Sequence, residues 1–231
     1  MTKRLFDGRL KLLPALLVVG LLLPAAVVIA AGGDADHRLW AELLGKYVQN
    51  GMVDYAGFQR DEARLDRYLE KLAAIRPGDL TRNGRFAFYV NAYNAWTVKL
   101  ILGAYPDIKS IKDLGGLLKS PWQKPIARID NQTLTLDEIE HQILRPQFKD
   151  PRIHFAVNCA SKSCPPLISE PYRAERLDQQ LEEVTGSFLN HPDNYRFDGT
   201  DFYVSRIFKW YGEDFDDDVI GFYLTYAENG L

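Results

Sequence analysis

Twenty apolar or small residues run without a break from Leu12 to Ala31, behind a basic start that holds Lys3, Arg4, Arg9 and Lys11. As a helix the run measures about 30 Å, the thickness of a bilayer's hydrocarbon core. Nothing polar punctuates either face, which argues against a buried core helix. Two readings stay open for residues 1–33. A secretory signal would end in small residues, and Val28-Ile29-Ala30 or Ile29-Ala30-Ala31 would serve as the cut. The length favours an uncleaved anchor, although Pro14 and Pro24 shorten the effective stretch. Either way the basic residues stay cytoplasmic and the remainder is exported, to the periplasm or an equivalent space, or faces outward from the cytoplasmic membrane. No cysteine stands near the junction to take a lipid.

Residues 34–231 read as one domain, without an internal repeat or a dividing linker. They hold 24 basic and 30 acidic side chains, a balance opposite to that of a general nucleic-acid binder. Helical spacing places Leu39, Trp40, Leu43, Leu44, Tyr47 and Val48 on one buried face, ended by Asn50-Gly51. A second helix is predicted over 61–75 and a third, the most apolar and the central one, over 81–104. Residues 106–125 read as a long loop with a short helix at 111–118. A hairpin is expected about Asp130-Asn131-Gln132, then a helix over 136–144 that stops near Pro146. Ile153 to Val157 reads as a buried strand that empties into the loop holding Cys159 and Cys164. A helix over 176–189, a hairpin about Asp198-Gly199 and a last helix over 219–227 complete the chain. The order suggests α+β, with several helices packed on a small, mostly antiparallel sheet.

Helical phase singles out one acid. At about 100° per residue, Leu136, Ile139, Ile143 and Leu144 share one apolar stripe, and Glu140 falls inside it, between Leu136 and Leu144. A carboxylate there needs a partner that offsets its desolvation. His141, the next residue, sits on the border of the stripe. The pair can orient an imidazole or bind a cation, or Glu140 can cap a buried backbone N–H. Cys159 stands where the chain turns. Its thiol can be a nucleophile if an imidazole stabilises the thiolate, or it can pair with Cys164 in a disulfide, which an exported domain permits. The C-x-x-C spacing of thioredoxin-type centres is absent. Strand alternation would set His154 on the face opposite Cys159, so His154 reads as a core residue. Four histidines and two cysteines without an H-x-x-x-H pair give no metal site. Asn91 and Asn94, three apart on the apolar central helix, must find hydrogen-bond partners. They would hold a loop, such as the one after Cys159, or donate to a substrate oxyanion. Tyr89 and Tyr93 read as packing residues.

Three blocks, Phe86–Ala95, Leu136–Arg145 and Arg152–Pro166, closely resemble the successive signatures of the family catalogued as domain of unknown function 547. Phe208-Lys209-Trp210-Tyr211 with Asp214-Phe215 is similar to its closing block. The resemblance implies an exported protein whose fold is similar to papain-like or transglutaminase-like thiol enzymes. Its suggested Glu-His-Cys set falls on Glu140, His141 and Cys159. Histidine then precedes cysteine, the reverse of papain, which implies a permuted arrangement.

The leading expectation is a thiol-dependent hydrolase or acyl transferase that acts on an amide or thioester of a small molecule or peptide, without a cofactor. Cys159 would attack, His141 would shuttle the proton, Glu140 would hold the ring, and Asn91 or Asn94 would stabilise the oxyanion. The rivals are a binding module for a small thiol or peptide that performs no turnover, and a redox domain that uses Cys159 and Cys164.

Overall fold

The computed structural model describes residues 34–116, 119–161 and 164–228. The apolar segment 12–31 and the end of the short helix expected at 111–118 lie outside the described residues. Among those described, no helix is long and apolar enough to cross a membrane.

The fold is built around α4 (Arg82–Leu102), the expected central helix. Thr81 caps its start by accepting from the Gly84 N–H at 3.0 Å. Helices α1 (Arg38–Tyr47), α2 (Tyr55–Arg60) and α3 (Glu62–Ala73) come before it in the chain. The stripe Leu65, Tyr68, Leu69 and Leu72 of α3 is buried, and Trp40 of α1 stacks on Tyr68 with centroids 5.7 Å apart. Between α1 and α2, Asn50 and Gly51 both take positive φ and join the two-residue strands β1 (Val48–Gln49) and β2 (Met52–Val53). The Asn-Gly pair read as a helix stop is therefore also a hairpin turn.

The chain is α+β, and its strands pair antiparallel as expected. They form separate two-stranded ribbons among the described residues, however, and not one sheet on which helices pack. The other ribbons are β3 (Ala127–Ile129) with β4 (Gln132–Leu134), and β5 (Tyr195–Asp198) with β6 (Asp201–Val204). The helices therefore bury one another around α4.

Two further expectations need correction. The helix that starts at α5 (Leu136–Glu138) does not stop near Pro146. It widens into a π turn over Ile139–Leu144 and continues as α6 (Arg145–Phe148). In the π turn the Arg145 N–H bonds the Glu140 carbonyl, five residues back. A proline inside an ordinary helix crowds the carbonyl four residues back, and the wider turn just before Pro146 makes room for its ring. Residues Ile153–Ala156 form the short helix α7, not a strand. Asp150 caps that turn: its side chain accepts from the Arg152 N–H at 3.0 Å, and Pro151 follows it. An Asp-Pro start is a helix signal that a four-residue apolar run cannot reveal.

Helix α7 stands between two cores. Ile153, Ala156 and Val157 join the main core around α4, while Phe155 joins a second core with Phe188, Phe208 and Phe215. The second core also draws on α8 (Leu177–Leu189), α9 (Ile207–Trp210) and α10 (Val219–Tyr226).

Candidate functional site

Glu140, in the π turn, is 7% exposed. Tyr93 and Tyr211 lie beside its carboxylate, and burial followed by the charge of Glu140 pushes both tyrosines above their ordinary range. The imidazole that Glu140 approaches is that of His154, with Oε1 4.0 Å from Nδ1. On the other side of the ring, Nε2 lies 2.6 Å from Oδ2 of Asp214. Tyr211 stacks on the same ring with centroids 3.9 Å apart. Nε2–H donates to Asp214, and Nδ1 has no hydrogen-bond partner despite its burial. Burial lowers the pKa of His154, against the opposing pull of Asp214 and Glu140. The ring is therefore neutral near pH 7, held by one carboxylate and half bonded.

Arg145 grips the outer end of this network. Its Nε reaches Asp214 Oδ2 at 2.5 Å and its Nη2 reaches Asp214 Oδ1 at 3.1 Å and Glu213 Oε1 at 2.6 Å. Burial alone would raise the Asp214 carboxyl, but the hydrogen bonds from Arg145 and His154 hold it below the usual carboxylate range. Beyond Arg145 lies a cavity of about 730 Å³, lined among others by His141, Lys149, Asp214 and Phe222.

His141 follows Glu140 in sequence but points elsewhere. It is exposed, and its Nδ1 lies 3.2 Å from Arg145 Nη1. A guanidinium only donates, so Nδ1 accepts there. Two consecutive helical residues diverge by about 100°, which sends the carboxylate into the core and the His141 ring to the cavity.

The cysteine loop leaves α7 and is pinned at once. Asn94 Nδ2 donates to the Ala156 carbonyl at 3.0 Å, and Asn94 Oδ1 accepts from the Asn158 N–H at 2.8 Å. Asn158 then bridges the loop, donating to the Pro165 carbonyl at 2.8 Å and accepting from the Ala160 N–H at 3.0 Å. Cys159 and Cys164 are joined as a disulfide, with Cα atoms 6.0 Å apart, and neither is fully buried. Behind the loop, a Cβ at Gly51 would come within 2.5 Å of Pro166, so the β1–β2 turn needs glycine to pass it.

Asn91 makes the equivalent clamp one turn earlier, donating to the Tyr172 carbonyl at 2.8 Å and accepting from the Tyr172 N–H at 3.0 Å. Both asparagines are buried and hold loops. The structure thus brings together Glu140, His154, Asp214, Arg145, Tyr93 and Tyr211, and leaves Cys159 in the loop three residues beyond the short helix that carries His154. Helical phase points to Glu140, and His154 and Tyr93, which read as core residues, are buried. Periodicity singles out neither Asp214 nor Arg145. The one signal for Asp214 was an acid inside an aromatic block, and its partner lies 60 residues away. Among the described residues, no three His, Cys, Asp or Glu side chains converge as a metal-binding group.

Residues 77–189 match the family described as Protein of unknown function, DUF547. The match covers Phe86–Ala95, Leu136–Arg145 and Arg152–Pro166 and ends before Phe208. No curated protein and no solved structure matches the chain.

Proposed function

Starting from a chain whose residues 77–189 belong to the DUF547 family, we propose that it is an exported thiol enzyme, a hydrolase or acyl transferase, with Sγ of Cys159 as its nucleophile. The observation that carries the reading is the His154 imidazole, oriented by Asp214 and bare at Nδ1, on the helix that runs into the pinned Cys159 loop. A fixed carboxylate and a neutral ring with one bare nitrogen are parts that thiol activation uses. The permuted papain-like arrangement belongs to the same reading.

The cycle begins when an external dithiol opens the Cys159–Cys164 bond, becoming a disulfide while both cysteines gain a hydrogen. His154 takes the Cys159 proton and the sulfur attacks the carbonyl carbon of an amide or thioester. The carbon–sulfur bond forms, the bond to the leaving amine or thiol breaks, and the imidazole returns its proton to that group. Water or an acceptor amine then attacks the thioester and frees Cys159. Asp214 holds the ring in one tautomer throughout.

The test is alkylation of the reduced full chain by iodoacetamide across pH. The expected result is a Cys159 pKa below the ordinary value of about 8.5, restored toward it in His154→Asn. A shift in His141→Ala alone moves the base to His141 and keeps the reading. An ordinary thiol pKa, unmoved by either substitution, overturns it.

A second reading is thiol–disulfide exchange, favoured by the Cys159–Cys164 pairing itself. Mass spectrometry of protein from its native compartment, with and without reductant, tests it. No two-hydrogen difference between the samples would eliminate it.

A further inference from the structure

We infer that the cavity beyond Arg145 binds a small apolar zwitterion, of the kind that a free amino acid or a short peptide presents. At about 730 Å³ it has the size of a ligand site. The helix that runs through the π turn supplies a basic side, where His141, Arg145 and Lys149 follow one another at steps of four. The 3-10 turn Gly212–Phe215 and the residues after it supply an acidic side, with Glu213, Asp214, Asp216 and Asp218. Ile153, Phe215 and Phe222 add apolar surface to the same cavity.

Most of these charges are already spent. Arg145 closes on Asp214 and Glu213, Asp150 pairs with Arg152 at 2.8 Å, and Asp218 accepts from the Gly221 N–H at 2.8 Å. Lys149 and Asp216 are left over. They line one cavity, yet among the described residues neither makes an ion pair or a side-chain hydrogen bond. Their backbones take φ of 51° and 54°, a conformation in which glycine or asparagine costs less, so each charge is held there against a backbone cost. His141 adds a donor. Its Nδ1 accepts from Arg145, so the ring proton sits on Nε2, which bonds nothing among the described residues.

A carboxylate suits Lys149 and the His141 Nε2–H, and an ammonium suits Asp216 with Asp218 two residues on. A simple anion or cation would answer one side and leave the other open. The lining also holds five carboxylates against Arg145 and Lys149, which disfavours an anion that brings no positive charge. A molecule with both charges on an apolar body answers the basic side, the acidic side and the apolar surface at once. No part of this site uses Cys159, so it stands apart from the thiol reading.

The test is equilibrium dialysis of leucyl-leucine, leucyl-leucinamide and N-acetyl-leucyl-leucine against the full chain. The Cys159–Cys164 disulfide is left intact, so that binding is read without thiol chemistry. Leucyl-leucine carries both charges and each of the others carries one. It should bind at least about fivefold more tightly than either, as the loss of one charge-assisted contact would give. Lys149→Gln should erase the advantage over the amide and keep the advantage over the acetyl form. Asp216→Asn, which suits left-handed backbone, should do the reverse. Both residues are exposed, and a change confined to one charge of the probe is not what a damaged fold produces. Two results overturn the inference: three probes that bind alike or not at all, or a leucyl-leucine preference that survives whole in either variant.

Discussion

Asp214 and His154 meet through a 2.6 Å hydrogen bond between Oδ2 and Nε2, while the opposite ring nitrogen of His154 bonds nothing. The bond reaches from α7 to the 3-10 turn Gly212–Phe215 of the second core, and Arg145 closes it from α6. One carboxylate thus fixes an imidazole tautomer and ties three elements together.

Asp214→Asn keeps the shape and removes the charge. The amide would face Arg145 and His154 with an uncharged oxygen and a competing N–H group. A loss of about 2 kcal/mol is expected, since hydrogen bonds to a charged group contribute roughly 1.5–3 kcal/mol and Asp214 is partly solvated. Urea unfolding measures the loss. Long-range nitrogen–proton spectra should show the Nε2–H tautomer of His154 giving way to a mixture. A retained single tautomer would deny Asp214 its orienting role.

Asn94 separates a loop clamp from an oxyanion donor. Asn94→Ala strands the Ala156 carbonyl and the Asn158 N–H in a buried place, which should cost about 2–4 kcal/mol. Trypsin should then cut faster between Asn158 and Pro165, the stretch that Asn94 pins. An oxyanion donor would behave otherwise, with activity falling and both stability and proteolysis unchanged.

His37 supplies a pH dependence. It is 1% exposed, its Nδ1 lies 2.7 Å from the Tyr68 hydroxyl, and burial lowers its pKa from 6.5 to about 4. Between those values the unfolded chain binds a proton that the folded chain refuses, so stability rises with pH. It is complete above about 6.5 and falls as pH drops through 4, by about 3 kcal/mol at 1.36 kcal/mol per unit. The lowered pKa of His154 acts in the same direction. Urea midpoints at pH 7 and 4.5 should differ less in His37→Gln than in the natural chain. An equal difference would assign the acid sensitivity elsewhere.

The parts of the molecule legible in the sequence are those set by local periodicity. The buried stripe of α3 and the inward phase of Glu140 depend only on the helical step of about 100° per residue, and Glu140, second residue of the π turn, keeps its inward phase. Helix α7 was illegible because four apolar residues fit a strand or a helical turn equally well, and only the Asp150-Pro151 start decides between them. With the strand went the alternation argument that separated His154 from Cys159. Asp214 was out of reach for another reason: its partner is fixed by the packing of the second core against α7, which no local pattern encodes. The asparagine clamps lie between these cases, since burial of Asn91 and Asn94 follows from their helix while their loop partners do not.

Glu140 governs the other side of the His154 ring. With Oε1 4.0 Å from Nδ1, its negative charge favours the imidazolium, one of the two carboxylates that oppose the burial penalty. Glu140→Gln removes that charge and keeps the side chain's shape beside Tyr93 and Tyr211. The His154 pKa should therefore fall further below its ordinary value, and the tyrosines, relieved of a neighbouring anion, should ionise more easily. A double-mutant cycle with Tyr93→Phe should give a coupling of about 1 kcal/mol or more, as buried polar neighbours in one network do. Proton NMR titration of His154 in Glu140→Gln is the decisive measurement. A His154 titration that does not move would mean that water or a rotated side chain screens the two groups. Glu140 would then be a cap for two tyrosines, and Asp214 would hold the ring alone.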